Sequence, residues 1–180
     1  MLLVVDNGSI YTKNLTTFLS DKKTEFTIQK FDEINLSNIS EFNSFILSGR
    51  IKNNRITNAI NSKIIKHAIS EKKSLLGICY GAEILALTLG GTIRKITSLQ
   101  KGNETINVLK NNLISNDPLD VFESHRFEIS KLPNTLVPLA ESKHCKYEII
   151  QYEKNPIFGT QFHPEMSQDG HDLIEKFCSL

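Results

Sequence analysis

Short apolar runs alternate with helical patterns along the first half of the chain. Four of these runs have the length of buried strands: residues 2–5, 26–28, 44–47 and 74–78. Apolar residues recur at helical spacing in three further segments: residues 11–20, 57–69 and 80–89. Because strands that alternate with helices build parallel sheets covered on both faces, the pattern predicts the α/β class.

The second half of the chain is richer in strand-like segments. These cover residues 92–96, 105–109, 147–152 and 157–162, and a last helix follows at about residues 169–177. The 180 residues contain no repeats, low-complexity tracts or long linkers. A single domain over residues 1–180 is therefore expected, with an open, mostly parallel, flavodoxin-like sheet and helices on both of its faces.

The charge balance and the composition exclude several classes of protein. The chain has 21 basic and 20 acidic side chains and a formal charge of +1, so it lacks the basic signature of a nucleic-acid-binding protein. No apolar run approaches the roughly 18 residues that a membrane span needs. The three cysteines show no paired spacing, so no disulfide framework is indicated. A cytoplasmic protein without nucleic-acid or membrane partners is expected.

A cysteine lies between two glycines where a predicted strand meets a predicted helix. The segment reads Gly77-Ile78-Cys79-Tyr80-Gly81, the arrangement of a nucleophile elbow with a thiol in place of a hydroxyl. The positive end of the helix favours the thiolate, and the backbone N–H of Tyr80 is available to a developing oxyanion. The alternative is a buried cysteine that only packs, because free cysteines are among the most buried side chains.

A histidine and a carboxylate that suit this thiol follow the last predicted strand. They belong to the segment Gln161-Phe162-His163-Pro164-Glu165. Pro164 disfavours the α conformation at His163, and an extended chain places His163 and Glu165 on the same side. A thiol nucleophile needs a general base and a group that orients the base. A lone His-x-Glu also occurs in surface loops, whereas its combination with the elbow predicts a Cys-His-Glu catalytic set.

Together these motifs resemble the glutaminase domain of triad-type (class I) glutamine amidotransferases. The motifs that carry the resemblance are GICYG followed by a helix and GG, QFHPE near the C-terminus, and ILSG at residues 46–49. The opening VVDNGS with Tyr11 after it, and ESHRFEI with its Ser124-His125 pair, are similar to the glutaminase subunit or domain of GMP synthases. The resemblance covers nearly the whole chain.

The resemblance implies that the chain hydrolyses glutamine to glutamate and ammonia through a thioester. It makes Cys79 the nucleophile, His163 the base and Glu165 the partner of the base. The implied oxyanion hole consists of the backbone amides of the Gly49-Arg50 segment and of Tyr80. The positions expected to bind the substrate are Glu83, Ser124, His125 and Phe127.

The resemblance also implies a partner. The ammonia would go to a separate ATP-dependent synthetase subunit, in the first place one that makes GMP from XMP. ATP and Mg²⁺ are expected only on that partner, because this sequence has neither G-x-x-x-x-G-K-[ST] nor G-x-G-x-x-G. No metal site is predicted, since the adjacent His144 and Cys145 have no second pair at ligand spacing.

Two alternatives remain open at this point. The first is a related amidotransferase or γ-glutamyl hydrolase that acts on another amide. The second is a non-catalytic subunit of the same fold that binds an amino acid.

Three positions depart from the pattern of the family. Arg50 stands where the family has the second glycine of SGGP, and an arginine at positive φ would be strained. Glu83 replaces a glutamine four residues after the nucleophile, and its charge would raise the pKa of the thiol. Phe127 replaces the aspartate of SH-x-D. Arg50 and Glu83 are expected either to pair across the mouth of the pocket or to be exposed to solvent.

Overall fold

The computed structural model describes residues 1–115, 118–153 and 155–180. Its strands are β1 Leu2–Asp6, β2 Phe26–Lys30, β3 Ser44–Leu47, β4 Ser74–Ile78, β5 Thr92–Val108, β6 Leu119–Lys131, β7 Leu136–Glu141, β8 Ile149–Tyr152 and β9 Ile157–Thr160. Its α-helices are α1 Thr12–Asp21, α2 Arg55–Ser70, α3 Tyr80–Thr88 and α4 Gln168–Cys178, and short 3-10 helices cover Leu36–Glu41 and Pro164–Met166. Among the helices of these ranges, none has the length and apolar character needed to cross a membrane.

The strands form a nine-stranded sheet in the order β2-β1-β3-β4-β9-β8-β7-β5-β6. The half from β2 to β9 is parallel. The half from β9 to β6 is antiparallel and is joined strand to strand by β8, β7 and β5. The predicted α/β class, with an open sheet flanked by helices, is confirmed.

Helices cover the sheet on both faces, and the side chains of β1 show how the two cores are divided. Leu2 and Val4 belong to the apolar cluster beneath α1 and α4. Leu3 and Val5 belong to the cluster beneath α2 and α3. All four side chains are buried because successive residues of a strand point to opposite faces, and both faces are covered here. This explains the uninterrupted apolar run at the start of the chain.

The antiparallel half differs from the sequence expectation. The two predicted strands at residues 92–96 and 105–109 are one strand, β5, which pairs with β6 along a long hairpin. The pairing register shifts between Lys95 and Gln100. Strands β6 and β7 were not predicted at all. Much of β5 is exposed and polar, so the hydrophobic pattern does not reveal that the two predicted segments form one continuous strand.

Candidate active site

The carboxyl ends of three neighbouring parallel strands bring the candidate catalytic residues together. β4 lies between β3 and β9 in the sheet. Gly49 comes shortly after β3, Cys79 directly after β4, and His163 shortly after β9. Carboxyl ends of parallel strands meet at one edge of a sheet, where ligands bind in open α/β folds. The thiol and the imidazole are therefore neighbours in space although they are far apart in the sequence.

The turn that carries Cys79 is strained and tightly packed. Cys79 has φ 50° and ψ −100°, a conformation that non-glycine residues rarely adopt. A Cβ on Gly77 would overlap the backbone of Gly81, and a Cβ on Gly81 would overlap the carbonyl oxygen of Leu47. The two flanking glycines thus let β3, β4 and α3 approach closely enough to hold this turn.

His163 and Glu165 form a buried pair. The Nδ1–H of His163 donates to Oε1 of Glu165 over 2.8 Å, because a carboxylate accepts and the imidazole supplies the proton. This leaves Nε2 free to face the thiol. His163 is extended, with φ −101° and ψ 92°, and a 3-10 turn follows at Pro164–Met166. An extended residue followed by a tight turn, rather than a fully extended chain, therefore brings the two side chains together.

The Cys79 thiol and the His163 imidazole influence each other's protonation. Burial raises the pKa of Cys79, and the contact with His163 offsets part of this increase. Burial alone would lower the pKa of His163, but its contacts with Cys79 and Glu165 outweigh burial and raise the pKa well above the ordinary 6.5. The imidazole is thus well suited to take and hold a proton from the thiol.

A pocket of about 250 Å³ opens over Cys79. The predicted site residues that line it are Arg50, Cys79, Tyr80, Glu83, Ser124, His125 and Phe127. The other three lie behind this wall. Glu165 is bonded to His163, and the backbone of Gly49 lies so close that a Cβ there would be 2.9 Å from Cε1 of His163. The structure therefore gathers all ten predicted site residues in one place.

Comparisons with known proteins show to which family the chain belongs. The chain matches the family model "Glutamine amidotransferase class-I" over residues 3–179. It belongs to the class-I glutamine amidotransferase family. A subunit of the glutamine-hydrolyzing GMP synthase of Methanocaldococcus jannaschii is 29% identical to this amidotransferase, over 100% of this chain and 97% of the relative. The glutamine-hydrolyzing GMP synthase of Wigglesworthia glossinidia brevipalpis is 30% identical over 98% of this chain, which spans 36% of that longer protein.

A solved structure supports the same fold. The crystal structure of a Thermoplasma acidophilum protein, described as a GMP synthase subunit, superimposes with a TM-score of 0.87 at 28% sequence identity. The match covers 99% of this amidotransferase and 92% of that protein.

The backbone of Arg50 is unstrained, and its side chain packs on Tyr80. Among the described residues, the non-glycine residues with positive φ are Lys23, Lys72, Cys79 and Glu153, so Arg50 does not adopt the positive φ that would strain it. The Arg50 guanidinium lies 3.8 Å from the centre of the Tyr80 ring. Its Nη1 donates to Oδ1 of Asn58 over 2.6 Å and to Oδ1 of Asn53 over 2.9 Å.

Glu83 forms no ion pair with Arg50 in the described part of the chain. It is not exposed to solvent either, since its relative accessibility is 5%. Both expectations for this residue are therefore wrong. Burial raises the pKa of Glu83, and the nearby charge of Arg50 opposes this increase without pairing. Glu83 presents a buried carboxyl group to the pocket, one helical turn from Cys79.

Two buried acids that sequence reasoning missed lie behind the pocket wall. Oε2 of Glu123 is 3.1 Å from Nε2 of His125, whose Nδ1–H donates to the carbonyl of Phe127 over 2.9 Å. Burial raises the pKa of Glu123 to about 7. Burial and the charge of Glu123 raise the pKa of Glu148 well above its ordinary value, so the two carboxyl groups do not ionise together near neutral pH. Phe127 itself is 42% exposed at the rim of the pocket.

Tyr11 is another site residue to which sequence reasoning gave no role. Its ring centroid lies 4.6 Å from that of His163, and its hydroxyl donates to Oγ of Ser124 over 3.3 Å. Tyr11 therefore links the loop after β1 to His163 and to the pocket wall. The signal that could have found it was its position in the opening motif, just beyond the end of the first strand.

Proposed function

We propose that this chain is the glutaminase subunit of a two-chain GMP synthase. It hydrolyses glutamine to glutamate and ammonia and delivers the ammonia to a separate ATP-dependent synthetase subunit. One observation carries the chemistry: the elbow thiol of Cys79 contacts a histidine whose other nitrogen is held by the buried Glu165. The full-length match to one subunit of a GMP synthase supports the choice of partner.

The first half of the reaction forms the thioester. As Sγ of Cys79 attacks the amide carbon of glutamine, Nε2 of His163 takes the thiol proton. The amide oxygen becomes an oxyanion within reach of the pocket-lining backbone donors. Tyr80 is the first residue of α3, so its N–H has no acceptor within the helix and is free to donate. The N–H of Arg50 is the second donor. Collapse of this intermediate transfers the proton from His163 to the departing ammonia.

The second half of the reaction hydrolyses the thioester. His163 accepts a proton from water, and the resulting hydroxide attacks the thioester carbon through a second oxyanion at the same donors. The bond to Sγ breaks, glutamate leaves, and the proton on His163 returns to Cys79. Glu165 stabilises the imidazolium that appears in both halves, because its carboxylate accepts the Nδ1–H bond throughout.

We propose no cofactor for this chain itself. ATP and Mg²⁺ would be bound by the synthetase subunit, which would use them in the reaction that consumes the ammonia. Ser124, His125 and Phe127 are proposed to bind the substrate, because they line the same pocket as Cys79 and Glu83.

Glu83 favours a second candidate function. A buried carboxyl one turn from the nucleophile differs in charge and hydrogen bonding from an amide, so the preferred substrate could be a different amide, such as a γ-glutamyl compound. In that case Cys79 forms the same γ-glutamyl thioester, and only the amine that leaves is different.

A glutamate-release assay tests the main proposal. The purified chain is assayed with glutamine alone, and again with a candidate synthetase subunit, ATP, Mg²⁺ and XMP. Glutamate release is expected to rise on mixing, with GMP formed in step, and to vanish in Cys79→Ala. Cys145→Ala, at a buried cysteine outside the pocket, is the matched control and should keep the activity. Activity retained in Cys79→Ala would contradict the mechanism, and the absence of glutamate release under every condition would contradict the function.

A further inference from the structure

The peptide that links Gly49 to Arg50 is held by a buried hydroxyl. Oγ–H of Ser48 donates to the carbonyl oxygen of Gly49 over 2.9 Å. Oγ of Ser48 also accepts the backbone N–H of Asn7 over 2.9 Å. The single hydroxyl proton of Ser48 is therefore committed to the Gly49 carbonyl, while its oxygen is anchored to the loop after β1.

A second layer of hydrogen bonds keeps Asn7 in place. Its Nδ2 donates to the carbonyl of Ser48 over 3.0 Å and to Oδ1 of Asn61 over 3.1 Å. In return, Nδ2 of Asn61 donates to Oδ1 of Asn7 over 2.7 Å and to the carbonyl of Thr57 over 2.8 Å. All four of these residues are buried, so any rearrangement leaves unsatisfied polar groups away from water.

The bond to Gly49 determines where the next N–H points. In a trans peptide the C=O and the N–H point in opposite directions. With the Gly49 carbonyl turned to Ser48, the N–H of Arg50 must point to the other side. No acceptor for this N–H is found in the described ranges, and Arg50 lines the pocket that also contains Cys79. The N–H is thus an unused donor on a residue that lines the pocket above Cys79.

The side chain of Arg50 anchors the same segment from its other end. Its guanidinium stacks on the ring of Tyr80 and donates to Asn58, which also accepts the Tyr80 hydroxyl over 2.9 Å. Tyr80 supplies the other candidate oxyanion donor through its backbone. The two donors are therefore fixed relative to each other by side-chain contacts, which is what preorganised transition-state stabilisation requires.

We propose that Ser48 is a positioning residue whose hydroxyl fixes the Gly49–Arg50 peptide in one orientation, so that the Arg50 N–H stands ready to receive the oxyanion. This inference rests on the proposed function, because the donor is useful only if Cys79 forms a tetrahedral intermediate. The buried Asn7–Asn61 pair then holds Ser48 in place through the bonds of Asn7. The oxyanion hole of this chain is then formed before any partner binds.

Ser48→Ala tests the inference by removing the hydroxyl with little change in volume. With glutamine as substrate, kcat is expected to fall roughly tenfold to a hundredfold with KM nearly unchanged, since the lost contact acts on the transition state. Ser48→Thr keeps a hydroxyl and should restore most of the rate. Ser62→Ala is the matched control. This half-buried serine on α2 shares a hydrogen bond of 2.8 Å with Thr88 Oγ1, neither residue lines the pocket, and the variant should behave as wild type.

Two further measurements separate this inference from the proposed function. Iodoacetamide alkylation of Cys79 forms no oxyanion, so its rate should be equal in wild type and Ser48→Ala. Crystal structures of both should show one orientation of the Gly49–Arg50 peptide in wild type and a reversed or mixed orientation in Ser48→Ala, whether or not glutamine is the substrate. An unchanged kcat, an unchanged peptide, or an equal loss in Ser48→Thr overturns the inference. Asn61→Ala, which loosens Asn7 without altering Ser48, provides the same readouts should Ser48→Ala fail to fold.

Discussion

The backbone N–H of Cys79 donates to the carbonyl of Thr160 over 2.7 Å, which ties the end of β4 to the end of β9. This bond keeps the segments that carry Cys79 and His163, the proposed nucleophile and base, next to each other. The Cys79 turn begins at the donor, and the chain reaches His163 three residues beyond the acceptor. A further bond, from the N–H of His163 to the carbonyl of Phe122 over 2.9 Å, secures the base from the other side. The catalytic geometry thus depends on backbone contacts that side-chain substitutions leave in place.

His163→Ala is expected to slow the alkylation of Cys79 by iodoacetamide at neutral pH. The contact with His163 lowers the thiol pKa against the effect of burial, so its removal raises that pKa and reduces the thiolate fraction. The rate is followed by mass spectrometry of the peptide that contains Cys79, at pH values from about 6 to about 10, which bracket the ordinary thiol pKa. His144→Ala, at an exposed histidine outside the pocket, is the control and should match wild type. A variant rate equal to wild type across this range would exclude a contact between thiol and imidazole in solution.

Glu165→Gln is expected to lower kcat for glutamine on the order of a hundredfold or more, with a much smaller effect on KM. An amide in place of the carboxylate no longer stabilises the imidazolium, and the pKa of His163 falls toward its ordinary value. The pH–rate profile should shift in the same direction. Glu175→Gln, on α4, removes only an exposed ion pair with Lys22 and serves as the control. If both variants keep the wild-type profile, Glu165 does not act on the base.

Glu83→Gln is expected to accelerate alkylation of Cys79 at neutral pH, because the charge of Glu83 contributes to the raised pKa of the thiol. The same variant discriminates between substrates. If glutamine hydrolysis appears or rises strongly in Glu83→Gln, the native substrate is a different amide. If hydrolysis is already efficient in wild type and changes little, Glu83 is compatible with glutamine. Parallel assays with glutamine and a γ-glutamyl anilide make this comparison.

The parallel half of the fold could be predicted because the residues that specify each of its elements are close together in the sequence. Each buried strand is a short apolar run, and the turns that follow carry the recognisable motifs. The antiparallel half could not be predicted in this way. β6 places Glu123 and His125 on its inward face, where the alternating pattern of a strand requires apolar residues. The same limit applies to the site. Cys79, His163 and Glu165 stand in compact motifs, whereas the Ser48–Asn7–Asn61 bonds join residues 41 and 54 positions apart.

Glu123→Gln is expected to stabilise the protein more at about pH 8 than at about pH 5, on either side of the raised pKa. The pKa of Glu123 is raised from 4.5 to about 7 in the folded state, so its contribution to stability is fully present below pH 4.5 and is lost as the pH rises through 7. Above pH 7 the wild type must hold a charged carboxylate in a buried site, whereas glutamine is neutral. Thermal unfolding at the two pH values measures the difference. Glu71→Gln, at an exposed residue, is the control for replacing a carboxylate by an amide. An equal shift of Glu123→Gln at both pH values would mean that Glu123 does not titrate in this range.

Gly81→Ala is expected to destabilise the fold by about 2 kcal/mol or more, since the new methyl group meets backbone that cannot move aside. The nearest neighbours of a Cβ at this position are atoms of Leu47, at the end of β3, so relief would require β3 and α3 to separate. That separation would also displace the Cys79 turn and the Gly49–Arg50 segment, and glutaminase activity should fall even at temperatures where the variant stays folded.

Gly90→Ala is the informative comparison. Gly90 has φ +96° but open space around its Cβ position, so the variant carries only conformational strain, on the order of 1 kcal/mol, and should keep its activity. Both variants are measured by urea denaturation and by glutamate release. An effect seen only in Gly81→Ala comes from steric overlap at the Cys79 turn, whereas an effect common to both comes from replacing a glycine. Equal destabilisation with equal activity would show that close packing against Leu47 does not hold the nucleophile.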